Sequence, residues 1–371
     1  MSEDRPEPDR LAGAPHPRDT PRLIGHAAAE RAFLETYQSG RLHHAWLLTG
    51  PEGVGKATLA WRIARFLLAT PIDQSDGLFG APPPPEHLDI PADHPVARRI
   101  AAGSEPRLFV LRRPWDERAK RLKQEITVDE ARKLKGFFAL SAADGGRRAV
   151  IVDAADALNT SSANAILKVL EEPPADTTML LVAHQPSRLL PTIRSRCRTL
   201  RLAPLGPDDL LEALSQTGAD MPDDATALSV LSEGSVGAAY RLLETGGLEL
   251  YARLVGLFAR APGIDRPAAL ALASSVTQDT MPLALQMVEL FLARLARAGI
   301  VGPPLPEAAP KEAEVLARLS PDPAAARAWA ELSASVTARA RQGWAANLDP
   351  AALLLDMCLS LDRAARAPVS A

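Results

Sequence analysis

The chain has 371 residues, and its 42 Lys and Arg against 45 Asp and Glu give a formal net charge of −3. This length predicts two or three domains, and the near-neutral charge gives no overall attraction to nucleic acid, so any DNA contact would be local. Two cysteines, Cys197 and Cys358, are too few for a disulfide framework and favour a reducing, cytoplasmic location.

The first segment, residues 1–22, is rich in Pro, Asp, Glu and Arg and lacks the apolar core of a secretory signal. We expect it to be a disordered leader. No later stretch reaches about 20 uninterrupted apolar residues, which is the length that spans a bilayer. We therefore expect no membrane partner.

Short apolar runs alternate with helical stretches over residues 23–204, which predicts an α/β domain with a doubly wound parallel sheet. The predicted strands cover residues 45–49, 108–111, 149–153, 178–183 and 199–202. Capping residues predict one helix from about Thr127 to Leu140 and another that begins near Asn159 and ends before Pro173.

Residues 71–106 do not fit this alternation, and their proline run predicts an irregular insertion. The His and Asp side chains of this segment lack the spacing of a metal site, so we expect no structural zinc and no other metal. These side chains are His87, Asp89, Asp93 and His94.

Strand patterns end after Pro204, and the remaining sequence is Ala- and Leu-rich with helical periodicity. Gly246-Gly247 and later Pro-Gly pairs break this pattern. We expect a small helical lid domain over residues 205–247 and an all-α collar or oligomerisation domain over residues 248–371.

A phosphate-binding loop follows the first predicted strand, with Gly50, Gly53 and Gly55 ahead of Lys56. Glycines at these positions let backbone amides curl around a phosphate, and a lysine at the start of a helix adds a positive charge there. The position of the motif between a strand and a helix is typical of ATPases. Weak binding of ATP or ADP is therefore an open possibility.

The loop lacks a magnesium-binding hydroxyl. Ala57 follows the lysine, where working ATPases place Ser or Thr. Thr58 lies one position further, about 100° around the helix, and is a poor substitute. The sequence thus predicts a nucleotide site that is vestigial or weak.

Asp153 ends a predicted strand, and there it would face the nucleotide crevice and contact a metal or a water. Its alternative role is to cap a helix or turn. Ala154 follows it and cannot orient or deprotonate an attacking water. Asp156 is expected at a helix start rather than as a replacement base.

Arg194, Arg196 and Arg198 alternate along the chain, which leaves two interpretations open. They would share one face of an extended segment and could be a solvated strand edge. Alternatively, one guanidinium reaches the triphosphate of a neighbouring subunit and stabilises the transition state, an effect on the order of 10³ to 10⁵ in rate.

Several segments together resemble the bacterial clamp-loader family, and within it the delta-prime branch. They are Gly50–Lys56, the strand that ends at Asp153, Asn164–Lys168 with Leu170–Pro174, and Thr192–Cys197. Leu42–Trp46 and Asn347–Pro350 are also similar, so the resemblance covers residues 21–366.

The resemblance implies an AAA+ ATPase fold in two lobes, with a helical collar that holds five subunits in a ring. It implies loading of the sliding clamp onto primed DNA, with tau/gamma-type motor subunits and a delta-type subunit as partners in the hetero-oligomer. The chain would contact the clamp and the DNA through the complex. Arg196 would be the finger projected at a neighbour's ATP, with Ser195 and Cys197 shaping its turn.

The chain departs from the family pattern in ways that bear on activity. Gly237 stands where the motor subunits place an arginine, and Ala57 and Ala154 are also changed, so we expect no ATP hydrolysis of consequence. No cysteine precedes Cys197, so the four-cysteine zinc module of many relatives is absent or metal-free.

These observations favour a stator-like subunit that needs no cofactor of its own, helps hold the ring together and supplies Arg196 in trans. One alternative is an ATP-hydrolysing motor subunit in which Thr58 or Asp156 compensates. The other is a nucleotide-gated regulator with no role in replication.

Overall fold

The computed structural model describes residues 6–70, 84–140, 146–222 and 225–366. The chain divides into two compact units, Met1–Gly218 with Ser235–Gly237, and Ala219–Gly234 with Ala238–Ala371. The separation of a lid at residues 205–247 from a collar after residue 248 stays a prediction.

A parallel sheet forms the centre of the first unit, and its strand order is β2-β5-β6-β1-β7. These strands are β1 (Ala45–Thr49), β2 (Leu108–Arg112), β5 (Arg148–Asp153), β6 (Thr177–Ala183) and β7 (Arg198–Arg201). Each lies within one residue of its predicted position. A short antiparallel pair, β3 (Trp115–Asp116) with β4 (Arg121–Leu122), has no counterpart in the sequence prediction.

Helices cover both faces of this sheet. They are α1 (Ala27–Gln38), α2 (Lys56–Ala69), α3 (Pro95–Ala101), α4 (Val128–Leu140), α5 (Thr160–Glu171), α6 (Pro191–Arg194) and α7 (Pro207–Ser215). Trp46 and Leu48 of β1 join the apolar cluster of α1 and α2, whereas Ala45 and Leu47 join that of α4 and α5. The doubly wound α/β fold is therefore confirmed.

Local chemistry explains the limits of α5. The Asn159 side chain accepts a hydrogen bond from the Ser162 backbone at 3.0 Å and so caps the first turn. The helix ends at Glu171, two residues before Pro173, because a proline restricts the residue that precedes it. Both predicted limits are correct.

Part of the predicted irregular insertion is helical, so that prediction is wrong for α3. Pro95 occupies the first helical position, which suits a residue without an N–H, and His94 Nδ1 accepts from the Val96 backbone at 3.2 Å. Val96 and Ile100 are buried in the core under α2. Residues 71–83 of the insertion lie outside the described residues.

Over the described ranges, no group of three or more His, Cys, Asp or Glu side chains lies close enough together to hold a metal ion. In the segment singled out for its polar residues, Asp89 instead pairs with Arg62 at 2.7 Å and His94 caps α3. The expected absence of zinc stays a prediction.

Residues 6–20, here called the N-terminal strap, are packed against the first unit, so the prediction of a disordered leader is wrong for them. The Asp9 side chain is fully buried and pairs with Arg112 at the end of β2. On α2, Arg65 donates to the Arg18 carbonyl and Trp61 donates to Asp9 at 3.4 Å. The strap is ordered because its charged side chains find partners, which composition does not reveal.

The second unit is helical, as predicted for the C-terminal region. The remaining helices are α8 (Thr226–Ser232), α9 (Val236–Glu244), α10 (Gly247–Phe258), α11 (Arg266–Ser274), α12 (Met281–Val301), α13 (Glu312–Leu319), α14 (Pro323–Ala345) and α15 (Pro350–Arg366). The first residues of α9 belong to the first unit. Among the helices of the described ranges, none combines the length and apolarity needed to cross a bilayer.

Candidate functional site

The phosphate loop, residues 50–56, joins β1 to α2 at the carboxyl edge of the sheet. Gly50, Gly53 and Gly55 have φ angles of 144°, 77° and 108°, a region that favours glycine. A Cβ on Gly50 would also collide with the Leu202 carbonyl. The glycine positions are thus required by the loop's own geometry.

The chain satisfies the carbonyl oxygens of residues 50–54 by itself. The Lys56 ammonium donates to the carbonyls of Gly50, at 2.7 Å, and Pro51. The next three carbonyls, of Glu52, Gly53 and Val54, accept from Ser235 Oγ at 2.7 Å, Gly237 N at 3.1 Å and His26 Nε2 at 2.7 Å. The ammonium that would otherwise meet a phosphate is directed into the loop.

Gly237 lies directly against the backbone of the phosphate loop. A Cβ at this position would be 3.0 Å from Gly53 Cα and 3.4 Å from Leu11 Cδ1, so a side chain would force its neighbours apart. The absence of an arginine here therefore has a packing reason. A side chain at this position requires Gly53 or Leu11 to shift by a few tenths of an ångström.

Lys56 and Asp153 are both buried, with 2% and 5% of their surface exposed. Burial lowers the pKa of Lys56 to about 8, although the charge of Asp153 opposes this. Burial raises the pKa of Asp153 to about 7, and the charge of Asp9 adds to the effect. A metal ligand must be ionised, so a carboxyl that keeps its proton near neutral pH is a poor partner for magnesium.

Two further candidate residues, Asp156 and Thr58, lie near the phosphate loop. Asp156 lies in a 3₁₀ turn, Ala155–Ala157, and accepts a hydrogen bond from the His184 backbone at 3.0 Å, in keeping with the expected helix-start role. Thr58 is half-buried on α2 beside Ala57. Asp156 and His184 line the same cavity as Ala154, and they are bonded to each other through the His184 backbone.

A cavity of about 290 Å³ opens beside Asp153, and it is lined mainly by polar and charged residues. Pro8 of the N-terminal strap forms part of its wall together with Glu52, Arg113 and His184. Sequence reasoning missed the strap, because nothing in a Pro- and Asp-rich segment marks which charges will be paired.

Arg196 lies in the turn between α6 and β7, where its own chain holds it lightly. Its Nη1 donates to the Thr192 carbonyl at 3.0 Å and its Nη2 lies 3.0 Å from Glu171 Oε1, while Ser195 Oγ donates to the same carbonyl at 3.2 Å. The Arg196 side chain is 36% exposed and that of Glu171 is 48% exposed. Such a surface pair contributes about 0–1 kcal/mol, so a more highly charged anion can replace it.

The three arginines do not lie on one extended face, so the strand-edge interpretation is wrong for the group. Arg194 ends α6, Arg196 is in the turn, and only Arg198 belongs to the edge strand β7, with its guanidinium 5.3 Å from the centre of the Trp46 ring. Burial raises the pKa of the Cys197 thiol to about 12, so this cysteine is not a thiolate at neutral pH.

Most of the first unit is similar in sequence to known proteins. Residues 25–206 match the family model described as DNA polymerase III, delta subunit. The DNA polymerase III subunit delta' of Pseudomonas aeruginosa is 40% identical over 214 residues, which cover 57% of this chain and 59% of that protein. The subunit delta' of Escherichia coli is 33% identical over 212 residues, covering 57% of this chain and 58% of that protein.

The chain thus spans about three-fifths of the length of the relatives it matches. A DNA polymerase III gamma subunit-related protein of Thermotoga maritima, known from its crystal structure, has a TM-score of 0.41 and 18% identity, covering 90% of this chain and 100% of that one.

Proposed function

We propose that this chain is a delta-prime-type clamp-loader subunit, because residues 25–206 match the family model described as DNA polymerase III, delta subunit, and two subunits named delta' are 40% and 33% identical to it. We propose further that it acts as a stator that supplies Arg196 to a neighbour's ATP. In this proposal the chain binds tau/gamma-type and delta-type subunits. It reaches the sliding clamp and primed DNA through the complex they form.

The observation that carries the proposal is the contrast between the surroundings of Lys56, which is buried, and those of Arg196, which is partly exposed. Lys56, in the chain's own loop, is 2% exposed and bonded to Gly50 and Pro51. Arg196 is partly exposed in a turn and held by one surface ion pair with Glu171. The cation of the chain's own nucleotide site is thus engaged, whereas the guanidinium at the surface is free to exchange its partner.

The planar guanidinium of Arg196 suits the proposed role. Arginine donates a fork of N–H groups that matches phosphate oxygens, and it stays charged at any physiological pH. An arginine finger acts by stabilising charge that develops on the transferred phosphoryl group. The Thr192 carbonyl and Ser195 support this turn from inside the same chain.

The test is the variant Arg196→Ala in a reconstituted complex with the motor and delta-type subunits, measured as clamp- and DNA-stimulated ATP hydrolysis. We expect turnover at the site facing this chain to fall by on the order of 10³-fold, because the developing charge loses its partner. Arg196→Lys should recover little, since a lysine lacks the planar fork.

Arg201→Ala is the matched control, because Arg201 is an exposed arginine of β7 outside the turn. It should leave hydrolysis and assembly unchanged. If Arg196→Ala assembles normally and the complex hydrolyses ATP at an unaltered rate, the finger role is refuted.

A further inference from the structure

The N-terminal strap crosses the carboxyl edge of the sheet, where the phosphate loop lies. Glu7 Oε1 is 2.7 Å from Arg112 Nη2, and Asp9 Oδ1 is 3.0 Å from Arg112 Nη1. Arg112 is paired in register with Asp153 on the adjacent strand. Two acidic side chains of the strap are therefore anchored beside the carboxyl that ends β5.

A second set of contacts fixes the strap to α2, the helix that begins at Lys56. The His16 ring packs edge-on against Trp61 with centroids 5.5 Å apart, and its Nε2 lies 3.0 Å from Glu7 and 3.2 Å from Asp9. Arg18 pairs with Glu7 at 3.0 Å. These interactions fold the strap back on itself and hold it over the crevice.

Between these anchors, the strap contacts the parts of the site that a nucleotide would use. Pro8 lines the cavity that also contains Asp153 and Glu52. Leu11 Cδ1 lies close to Gly237, whose backbone N–H donates to the Gly53 carbonyl of the phosphate loop at 3.1 Å. The strap therefore reaches both the cavity beside Asp153 and the residue that is bonded to the phosphate loop.

Charge makes this cover unfavourable for a triphosphate. Asp9 is fully buried, yet the hydrogen bond with His16 and the charges of His16 and Arg112 outweigh the effect of burial and lower the pKa of Asp9 to about 2. It is thus ionised at neutral pH. The carboxylates of Glu7 and Asp9 neutralise Arg112, so this guanidinium at the end of β2 is not available to attract the phosphates of a nucleotide.

We propose that the N-terminal strap competes with nucleotide for the phosphate-loop crevice, so that the bound strap and bound ATP or ADP exclude each other. When only a fraction of molecules has the crevice open, the apparent dissociation constant of the nucleotide rises by the inverse of that fraction. The strap then weakens nucleotide binding to this loop, in addition to the effect of Ala57, which has no hydroxyl for magnesium. This competition is a property of the lone chain and does not depend on the role of Arg196.

The test compares the wild-type chain with the double variant Glu7→Gln/Asp9→Asn, using calorimetry with magnesium-ATP and with ADP. The variant replaces each carboxylate by an amide of the same shape, which removes the negative charges that contact Arg112 and His16. We expect nucleotide to bind at least about tenfold more tightly, as an opening of the crevice from one-tenth to most of the population would produce. Adding Lys56→Ala should abolish that gain, which locates binding at the phosphate loop.

Glu35→Gln is the matched control, because it removes the charge of an exposed glutamate on α1, outside the strap; it should bind nucleotide as the wild type does. Should the double variant fail to fold, Glu7→Gln alone, which keeps the Asp9 pair with Arg112, replaces it with a smaller gain expected. Unchanged nucleotide affinity in a folded variant overturns the competition and leaves the finger proposal standing.

The rate of trypsin cleavage after Arg10 measures the same competition, because the strap can be cleaved only when it leaves its contacts. Because coupled equilibria are reciprocal, a variant that binds nucleotide should show faster cleavage at Arg10 when magnesium-ATP is present. A cleavage rate that ATP leaves unchanged, in a variant shown to bind it, contradicts mutual exclusion.

Discussion

Burial gives Asp153 a chemistry that its place in the sequence motif does not suggest. The residue ends a strand beside a phosphate loop, as a metal-binding carboxylate would, but only 5% of it is exposed. Its surroundings include Asp9 and Asp156 as well as Lys56. The motif is therefore present while the ionised form that it needs is disfavoured.

The raised pKa of Asp153 predicts how stability depends on pH. The folded state keeps this proton up to about pH 7, whereas the unfolded chain releases it near the ordinary value of 3.8. The folded state thus binds more protons between these values, so this group's contribution to stability falls as pH rises from about 4 to 7. Asp153→Asn mimics the protonated form and should raise the melting temperature at pH 8.

Thermal melts of both proteins from pH 5 to pH 8.5 check this prediction. The advantage of Asp153→Asn should be on the order of 1 kcal/mol or more at pH 8 and should shrink towards pH 5. A difference that is independent of pH, or a variant that is less stable at pH 8, would show that Asp153 is ionised in the folded protein.

At the scale of elements, a buried carboxylate holds three helices of the second unit together. In the second unit, Glu312 at the start of α13 is fully buried and accepts from Arg294 at 2.6 Å, Tyr251 at 2.6 Å and the Ala308 backbone at 2.6 Å. This carboxylate joins α10, α12 and α13. Its sequence context, a Lys-Glu-Ala-Glu run, resembles an ordinary solvated helix start.

Removing this carboxylate should weaken the second unit. Glu312→Ala leaves Arg294 and Tyr251 without their acceptor in a buried place, which costs about 3–5 kcal/mol. Glu314→Ala, which changes an exposed glutamate of the same helix, should stay within about 0.5 kcal/mol of the wild type. Urea unfolding followed by circular dichroism gives both values, and equal midpoints for the two variants would contradict a buried network.

For the whole molecule, the structure combines a buried lysine in the phosphate loop, Lys56, with a partly exposed arginine, Arg196. The rival role, an ATP-hydrolysing motor, has the intact glycines and Lys56 in its favour. It needs a metal-binding hydroxyl and a base, and Ala57 and Ala154 supply neither. The two roles differ in what the purified chain does alone.

The lone chain should hydrolyse ATP no faster than its Lys56→Ala variant. We expect this because the Lys56 ammonium is bonded within its loop and because the side chain of Ala154 cannot act as a base. Phosphate release is measured with and without primed DNA, and the same preparation is then added to the motor subunits as a control for folding. Turnover that DNA stimulates and that Lys56→Ala abolishes would assign the chain to the motor class.

Sequence reasoning located the five strands of the parallel sheet and the limits of α5 to within about a residue. This succeeded because buried strands and capped helices follow from neighbouring residues alone. It failed for α3, which lies in a segment whose proline run was taken as a mark of irregular structure throughout. It also failed for the strap and for the shared face of Arg194, Arg196 and Arg198, which depend on partners distant in the chain or on a turn.

The sequence by itself determined the doubly wound sheet, the position of the phosphate loop and the changes at Ala57, Ala154 and Gly237, because each depends on local pattern or residue identity. Only the tertiary structure decided that Lys56 turns inward, that Gly237 packs on Gly53 and that Glu7 and Asp9 pair with Arg112 at the end of β2. Those features arise from residues up to 184 positions apart in the chain, between Gly53 and Gly237, and pairing at that distance is set by packing rather than by local preference.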